Sequence, residues 1–242
     1  MEGLESNAGL TDAMRIKPDE ELQGVAAEAD IIAIWLTYTA TAITVGFFLS
    51  PLPAVRGVWK GTVNFDAINI DSMLLMWLNC ICWLVYAVML PLPAGIPVNA
   101  VGLTLVTTYV FIWFARAIGA RRAAAWRKVR GAAAMVLGSV AIGRWNIDLL
   151  GSVVTVVNIT MFGAPLLQIQ VVLQERSSRS LPLSTCVVGA LCSSTWTLLG
   201  MHLQNRPMII PNVIGTALNL VQVGLCVVFP RVRMEDKKAD YP

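Results

Sequence analysis

Residues 209–215 read IIPNVIG, and residues 95–102 read GIPVNAVG. In each, an asparagine follows closely on a proline inside a long apolar run and opens an N-x-x-G. Trp83 precedes Asn99 by 16 residues and Trp196 precedes Asn212 by the same 16, so a shift of 113 residues relates both pairs. Within one residue, that shift also carries FLSPLP (48–53) onto FGAPLL (162–167), matching Pro51 with Pro165. A three-segment unit is therefore used twice in parallel. Because three crossings reverse the direction of the chain, a parallel repeat needs one more helix between its copies.

Composition agrees with a chain that lives in a bilayer. Of the 242 residues, 56% are hydrophobic and 14% charged, with a mean hydropathy of +0.66, too apolar for a water-soluble core of ordinary proportions. Crossing about 30 Å of hydrocarbon takes roughly 20 residues of helix. Six runs meet that length, at 31–49, 72–90, 96–115, 149–173, 183–203 and 208–229. A weaker seventh, 131–143, stops at Arg144 and must borrow length from the Ala-rich segment around Trp126, where Arg127, Lys128 and Arg130 can reach an interface. An interfacial helix is the other reading of that run. The expected fold is all-α, with seven transmembrane helices as two parallel three-helix bundles joined by a linker helix. The parts are an acidic flexible tail (1–30), the first bundle (31–117), a basic loop and linker (118–147), the second bundle (148–230) and a cytosolic tail (231–242).

Lysine and arginine placement tests the count of seven, since these residues accumulate in cytoplasmic loops. With the N-terminus outside, fourteen of the eighteen fall inside and only Arg15, Lys17, Arg144 and Arg206 outside. Dropping the weak span would move Arg176 and Arg179 to the side opposite Arg121 and Arg122. The first 30 residues carry eight acids and two bases, with neither a basic leader nor a cleavage pattern. The expected protein is multi-pass, with its C-terminus cytosolic, in the plasma membrane or an organelle membrane. The five cysteines all fall within spans, without a CxxC pair or a histidine neighbour, so neither a metal nor a disulfide framework is expected. The sequon Asn158-Ile159-Thr160 lies mid-span, out of reach of glycosylation.

Asparagine at mid-membrane must find partners or lose solvation. Its amide offers donors and an acceptor in one plane, which complements neighbouring sugar hydroxyls. A tryptophan face stacks on the apolar surface of a pyranose while its N–H still donates. Asn99, Asn212, Trp83 and Trp196 are thus the expected lining of a neutral pocket between the halves. The alternative for a lone membrane asparagine is a helix-to-helix hydrogen bond, and Asn79, one turn before Trp83 and without an asparagine counterpart in the repeat, leans that way. Trp59, Trp113, Trp126 and Trp145 flank span ends as belt residues, whereas Trp35 and Trp77 receive no role. Pro51, Pro165 and Pro182 lie near one end of their helices, where they either terminate a helix or bend it to work a gate.

With these residues in place, the chain resembles the SWEET (MtN3/saliva) sugar transporters over roughly residues 31–230. The resemblance rests on FFLSPLPAVRGVWK, LNCICWLVYA and NAVG in the first half, and on FGAPLLQIQVVLQERSSRSLP, SSTWTLLG and IIPNVIGTALNLVQVGL in the second. It implies two three-helix bundles around a linker, a central sugar site, facilitative uniport by alternating access, no cofactor and frequent homo-oligomers. It places the paired asparagines at Asn99 and Asn212 and the pocket tryptophan at Trp196. Trp83, a second large ring, narrows the site and favours a monosaccharide such as glucose over sucrose. Of the four gate prolines, Pro51, Pro165 and Pro182 match, and Ser72 stands at the fourth place.

Other classes fit less of the chain. A non-transporting subunit of a larger assembly, or a PQ-loop carrier of another small neutral solute, remains open, although Pro165 is followed by Leu166 rather than glutamine. A seven-helix receptor would not show the duplication, and a retinal protein would need a lysine in its last span. An enzyme would need a nucleophile, base and orienting acid that the spans do not contain. No nucleic-acid partner is implied; the expected partners are a small neutral sugar and the bilayer. Every Asp and Glu falls in a tail, loop or span boundary, so transport is expected to run downhill without proton coupling.

Overall fold

The computed structural model describes residues 18–229. Its α-helices are α1 (Pro18–Leu49), α2 (Leu52–Lys60), α3 (Ile70–Met89), α4 (Gly95–Arg116), α5 (Gly119–Trp145), α6 (Ile147–Thr160), α7 (Gly163–Glu175), α8 (Leu183–His202) and α9 (Arg206–Val228), with 3-10 turns at Phe65–Ala67 and Ser178–Ser180. The helix begins at Pro18, so residues 18–30, expected as a loose tail, extend the first span. The expectations for residues 1–17 and 230–242 lie outside the described residues.

Both units begin with a broken helix. The chain turns at Ser50 and Pro51 and resumes as α2; in the second unit it turns at Met161 and Phe162 and resumes as α7. Residues 52–60, beyond the expected first span of 31–49, are helical, because Pro51 fits just ahead of a first helical turn, where a missing N–H breaks no intrahelical bond. Six segments are long and apolar enough to cross a membrane: Ile31–Lys60, Ile70–Met89, Gly95–Arg116, Ile147–Glu175, Leu183–His202 and Arg206–Val228. The linker α5 is the seventh long helix. Its 27 residues give about 40 Å at 1.5 Å each, enough to cross. Its buried Ala125, Ala132 and Ser139, seven residues apart, let it lie close against α3 and α6.

The duplication is visible in the packing. In the first unit α4 lies between α1 and α3; in the second, α9 lies between α6 and α8. Across the middle, α1 packs on α8 and α3 packs on α6. The first helix of each unit therefore meets the second helix of the other, the exchange a two-fold axis would produce. The N-x-x-G glycine marks the point where the three helices of a unit meet. A Cβ on Gly102 would lie 2.4 Å from the Phe48 ring and 3.0 Å from Cys80 Sγ; on Gly215 it would lie 3.0 Å from Ser193 Oγ and 3.2 Å from the Phe162 ring. The repeat superposes Phe48 on Phe162 and Cys80 on Ser193. At Gly102 only a hydrogen side chain permits so close an approach, and at Gly215 the fit is tight.

Short connections gather the basic residues at one end. The end formed by α2, the starts of α3, α5 and α8 and the ends of α4 and α7 holds Arg56, Lys60, Arg116, Arg121, Arg122, Arg127, Lys128, Arg130, Arg176 and Arg179. Among the described residues from 31 onward, only Arg144 and Arg206 stand at the other end.

Candidate functional site

Asn99 and Asn212 occupy equivalent places and make equivalent bonds. Asn99 Nδ2 donates to the Gly95 carbonyl at 2.7 Å, and Asn212 Nδ2 donates to the Met208 carbonyl at 2.7 Å, each one turn back on its own helix. Among the described residues neither amide is hydrogen-bonded to a second helix, so the helix-to-helix alternative does not describe them. No hydrogen bond joins the two. Asn99 is buried and Asn212 half-buried.

The tryptophans converge on one apolar cluster. Trp83 lies within it beside Val154, Val157 and Leu199, and Trp196 packs against it from α8. Trp83 is 7% exposed, with its ring edge-on to Tyr86 at 5.8 Å between centroids and 83° between planes. This ring is packed rather than presented to an open chamber. Trp196 reaches across the middle instead: its Nε1 donates to Thr44 Oγ1 at 2.9 Å, and that hydroxyl donates to the Ala40 carbonyl and lies 3.4 Å from Cys192 Sγ. A second bridge between the halves runs from Asn205 Nδ2 to the Tyr86 hydroxyl at 3.2 Å, with Asn205 Oδ1 capping the start of α9.

The remaining candidates fall into place around this seam. The repeat carries Thr44 onto Asn158 and Cys192 onto Asn79. The α3–α6 seam thus offers two amides where the α1–α8 seam offers a hydroxyl and a thiol. Asn79 Oδ1 is buried with no hydrogen-bond partner; it is not acting as the interhelical bond expected of it. Spacing alone did not single out Thr44, Tyr86, Asn158 or Asn205, although applying the 114-residue shift through Pro51 and Pro165 to Thr44 would have reached Asn158.

At the helix breaks, third-helix side chains hold carbonyls. Pro51 has no N–H for the Phe47 carbonyl, which instead accepts from Ser50 N at 3.1 Å and Ser50 Oγ at 2.8 Å. The neighbouring Phe48 carbonyl accepts from the buried Tyr109 hydroxyl at 3.0 Å. In the second unit Gln222, which the repeat superposes on Tyr109, donates from Nε2 to the Pro165 carbonyl and to Gln168 Oε1, both at 3.3 Å. A membrane tolerates a proline break when such partners are supplied. Pro182 precedes the first turn of α8. In α3 the equivalent capping place belongs to Asn69, whose Oδ1 accepts from the backbone of Asp71 and of Ser72, so Ser72 lies inside the first turn.

Comparison with known proteins follows the same division into halves. The profile of a family described as "Sugar efflux transporter for intercellular exchange" (MtN3/saliva) matches residues 34–117 and 148–233, one copy on each side of the linker. The chain belongs to this family, the SWEETs. It is 25% identical over 205 residues to "Sugar transporter SWEET1" of Dictyostelium discoideum, covering 81% of this chain and 93% of that one. It is 45% identical over 92 residues to "Sugar transporter SWEET1" of Caenorhabditis elegans, covering 38% of this chain and 30% of that one. A solved eukaryotic SWEET transporter shares its fold with a TM-score of 0.71 at 22% identity, over 82% of this chain and 97% of the other. Two SWEET repeats around a linker helix account for the three-plus-one-plus-three order.

Proposed function

We propose that this SWEET is a facilitative sugar uniporter that works by alternating access, with a monosaccharide such as glucose as its substrate. The observation that carries this reading is the two-fold repetition of an amide, an indole and a proline break, because a site between two equivalent halves can open to either side when one half rocks against the other. Asn99 and Asn212 would each turn an amide toward sugar hydroxyls, and Trp196 would supply a stacking face with its N–H held by Thr44. Asn79 and Asn158 add hydrogen-bonding capacity on the α3–α6 side. Trp83 and Trp196 pack on one cluster, which leaves little width and supports a single ring over a disaccharide.

Broken first helices supply the motion. Pro51 and Pro165 each stand at a bend with a helix continuing beyond, which supports a hinge over a terminator. Orientation follows from charge: the basic end would face the cytosol, with the N-terminus outside and the C-terminus inside. Within the six apolar segments the carboxylates, Asp71, Asp148 and Glu175, stand at or next to a segment end, which supports downhill transport. A panel of radiolabelled hexoses, pentoses and disaccharides in hexose-uptake-deficient cells tests the reading. Uptake of a hexose, insensitive to a proton ionophore, is expected; uptake of none of these sugars by protein shown to reach the membrane would overturn it.

A further inference from the structure

The linker helix is too short in apolar length for its place. Residues 131–143 give about 20 Å of uncharged helix against about 30 Å of hydrocarbon. The cations ahead of them must therefore draw polar groups toward the membrane. α5 carries Arg121, Arg122, Arg127, Lys128 and Arg130 within ten residues and no acid anywhere. Two of these five are paired: Arg121 with Asp66 in the 3-10 turn ahead of α3, at 2.7 Å, and Lys128 with Asp71 at the start of α3. All four partners are more than half exposed, so the pairs are weak and open to replacement by a stronger anion. Arg122, Arg127 and Arg130 are exposed and, among the described residues, have no ion-pair partner. An acid-free set of three cations beside two weakly paired ones leaves a net positive site.

Two recesses run along this same α3–α5 seam and meet at Lys128. One, of about 360 Å3, is polar and aromatic, with Asp66, Asn69, Phe65 and Trp113 around Arg121 and Lys128. The other, of about 310 Å3, has the Asp71–Lys128 pair at its mouth and is walled further along the helices by Leu74, Leu75, Leu78, Ala132 and Met135. A groove with two weakly paired cations at the interface, three further cations beside it and apolar walls toward the hydrocarbon matches a molecule with an anionic head and an acyl tail. We propose that the α3–α5 groove binds an anionic glycerophospholipid, its phosphate on Arg121 and Lys128 and one acyl chain along Leu74, Leu78 and Met135. Asp66 and Asp71 give up their partners on binding, and Arg122, Arg127 and Arg130 supply the surrounding field that selects a net negative headgroup over a zwitterionic one. The linker has no counterpart in the repeat, so each protomer carries one such site. The site does not depend on the sugar reading.

Native mass spectrometry of the full-length protein, delipidated in detergent and offered equal amounts of phosphatidylserine and phosphatidylcholine, tests this. The wild type is expected to retain one phosphatidylserine with about tenfold preference. Arg121→Gln with Lys128→Gln removes the head contacts and is expected to lower retention about tenfold. Gly131→Leu fills the apolar limb; a Cβ there meets nothing within 4 Å, so the fold is preserved, and retention is again expected to fall. Thermal melting in phosphatidylcholine checks that both variants remain folded. Equal retention of the two lipids, wild-type retention by either folded variant, or full displacement of phosphatidylserine by millimolar inorganic phosphate, which would mark a soluble-anion site, would each overturn the proposal.

Discussion

The Tyr109 hydroxyl donates to the Phe48 carbonyl at 3.0 Å, tying the third helix of the first unit to the bend of its first helix. Gln222 makes the equivalent tie to the Pro165 carbonyl at 3.3 Å. Tyr109 and Asn99 stand on one helix, and so do Gln222 and Asn212. Each asparagine thus shares a helix with the side chain that holds a carbonyl at a helix break.

Tyr109→Phe keeps the ring and removes the donor. A lost buried hydrogen bond costs about 1 kcal/mol, which is expected to lower the melting temperature by a few degrees. As a shift between two conformations the same energy is about fivefold, so the maximal transport rate is expected to fall by about that factor while the half-saturating sugar concentration changes little. Gln222→Leu should behave alike. Flux assays in proteoliposomes beside thermal melts check this; wild-type rate and melting in both variants would remove the ties from the mechanism.

The bridge from Trp196 to Thr44 joins the halves through a hydroxyl that has three neighbours. Thr44→Val and Trp196→Phe each break it. Interhelical hydrogen bonds in membranes are worth about 0.6 to 2 kcal/mol, so each variant is expected to melt a few degrees lower. The double variant should lose clearly less than the sum, because one bond is being removed twice. Strict additivity in the melting cycle would show that the bridge contributes nothing.

Glycine positions 102 and 215 are equivalent in the repeat but differ in clearance. A Cβ at Gly102 meets the Phe48 ring at 2.4 Å, whereas at Gly215 the nearest atom is Ser193 Oγ at 3.0 Å. Gly102→Ala is expected to destabilise by about 1 to 3 kcal/mol through overpacking. Gly215→Ala should stay within about 1 kcal/mol of wild type, because alanine's better helix propensity offsets the tighter fit. Phe48→Leu should recover part of the Gly102→Ala loss. Denaturation of the purified variants checks the order, and a larger loss at Gly215 than at Gly102 would contradict the geometry.

Much of the architecture was legible because duplication repeats residues whose chemistry is costly to change in a membrane. The N-x-x-G pairs, the 16-residue spacing to Trp83 and Trp196, and Pro51 with Pro165 survive as identities, and they led to the two-unit fold, the linker and both asparagines. What stayed hidden was of two kinds. Tyr109 and Gln222 do the same work with different side chains, so an identity-based shift passes over them. Thr44 and Asn205 matter because of which helix they face, and the spacing within one span does not say which neighbour lies alongside. The α2 segment escapes the span count because Pro51, Arg56 and Lys60 interrupt the apolar run, while Pro51 in fact starts a helix whose Val55 and Val58 are buried.

Counterflow of radiolabelled hexose into proteoliposomes preloaded with unlabelled sugar tests the central claim most directly, comparing wild type with Asn99→Ala and Asn212→Ala. Each asparagine bonds only its own helix, so removing it is expected to cost little stability. Loss of at least nine-tenths of counterflow in each variant, with melting temperatures close to wild type, is the expected result. Undiminished counterflow in either folded variant would contradict a sugar site built from one amide of each half.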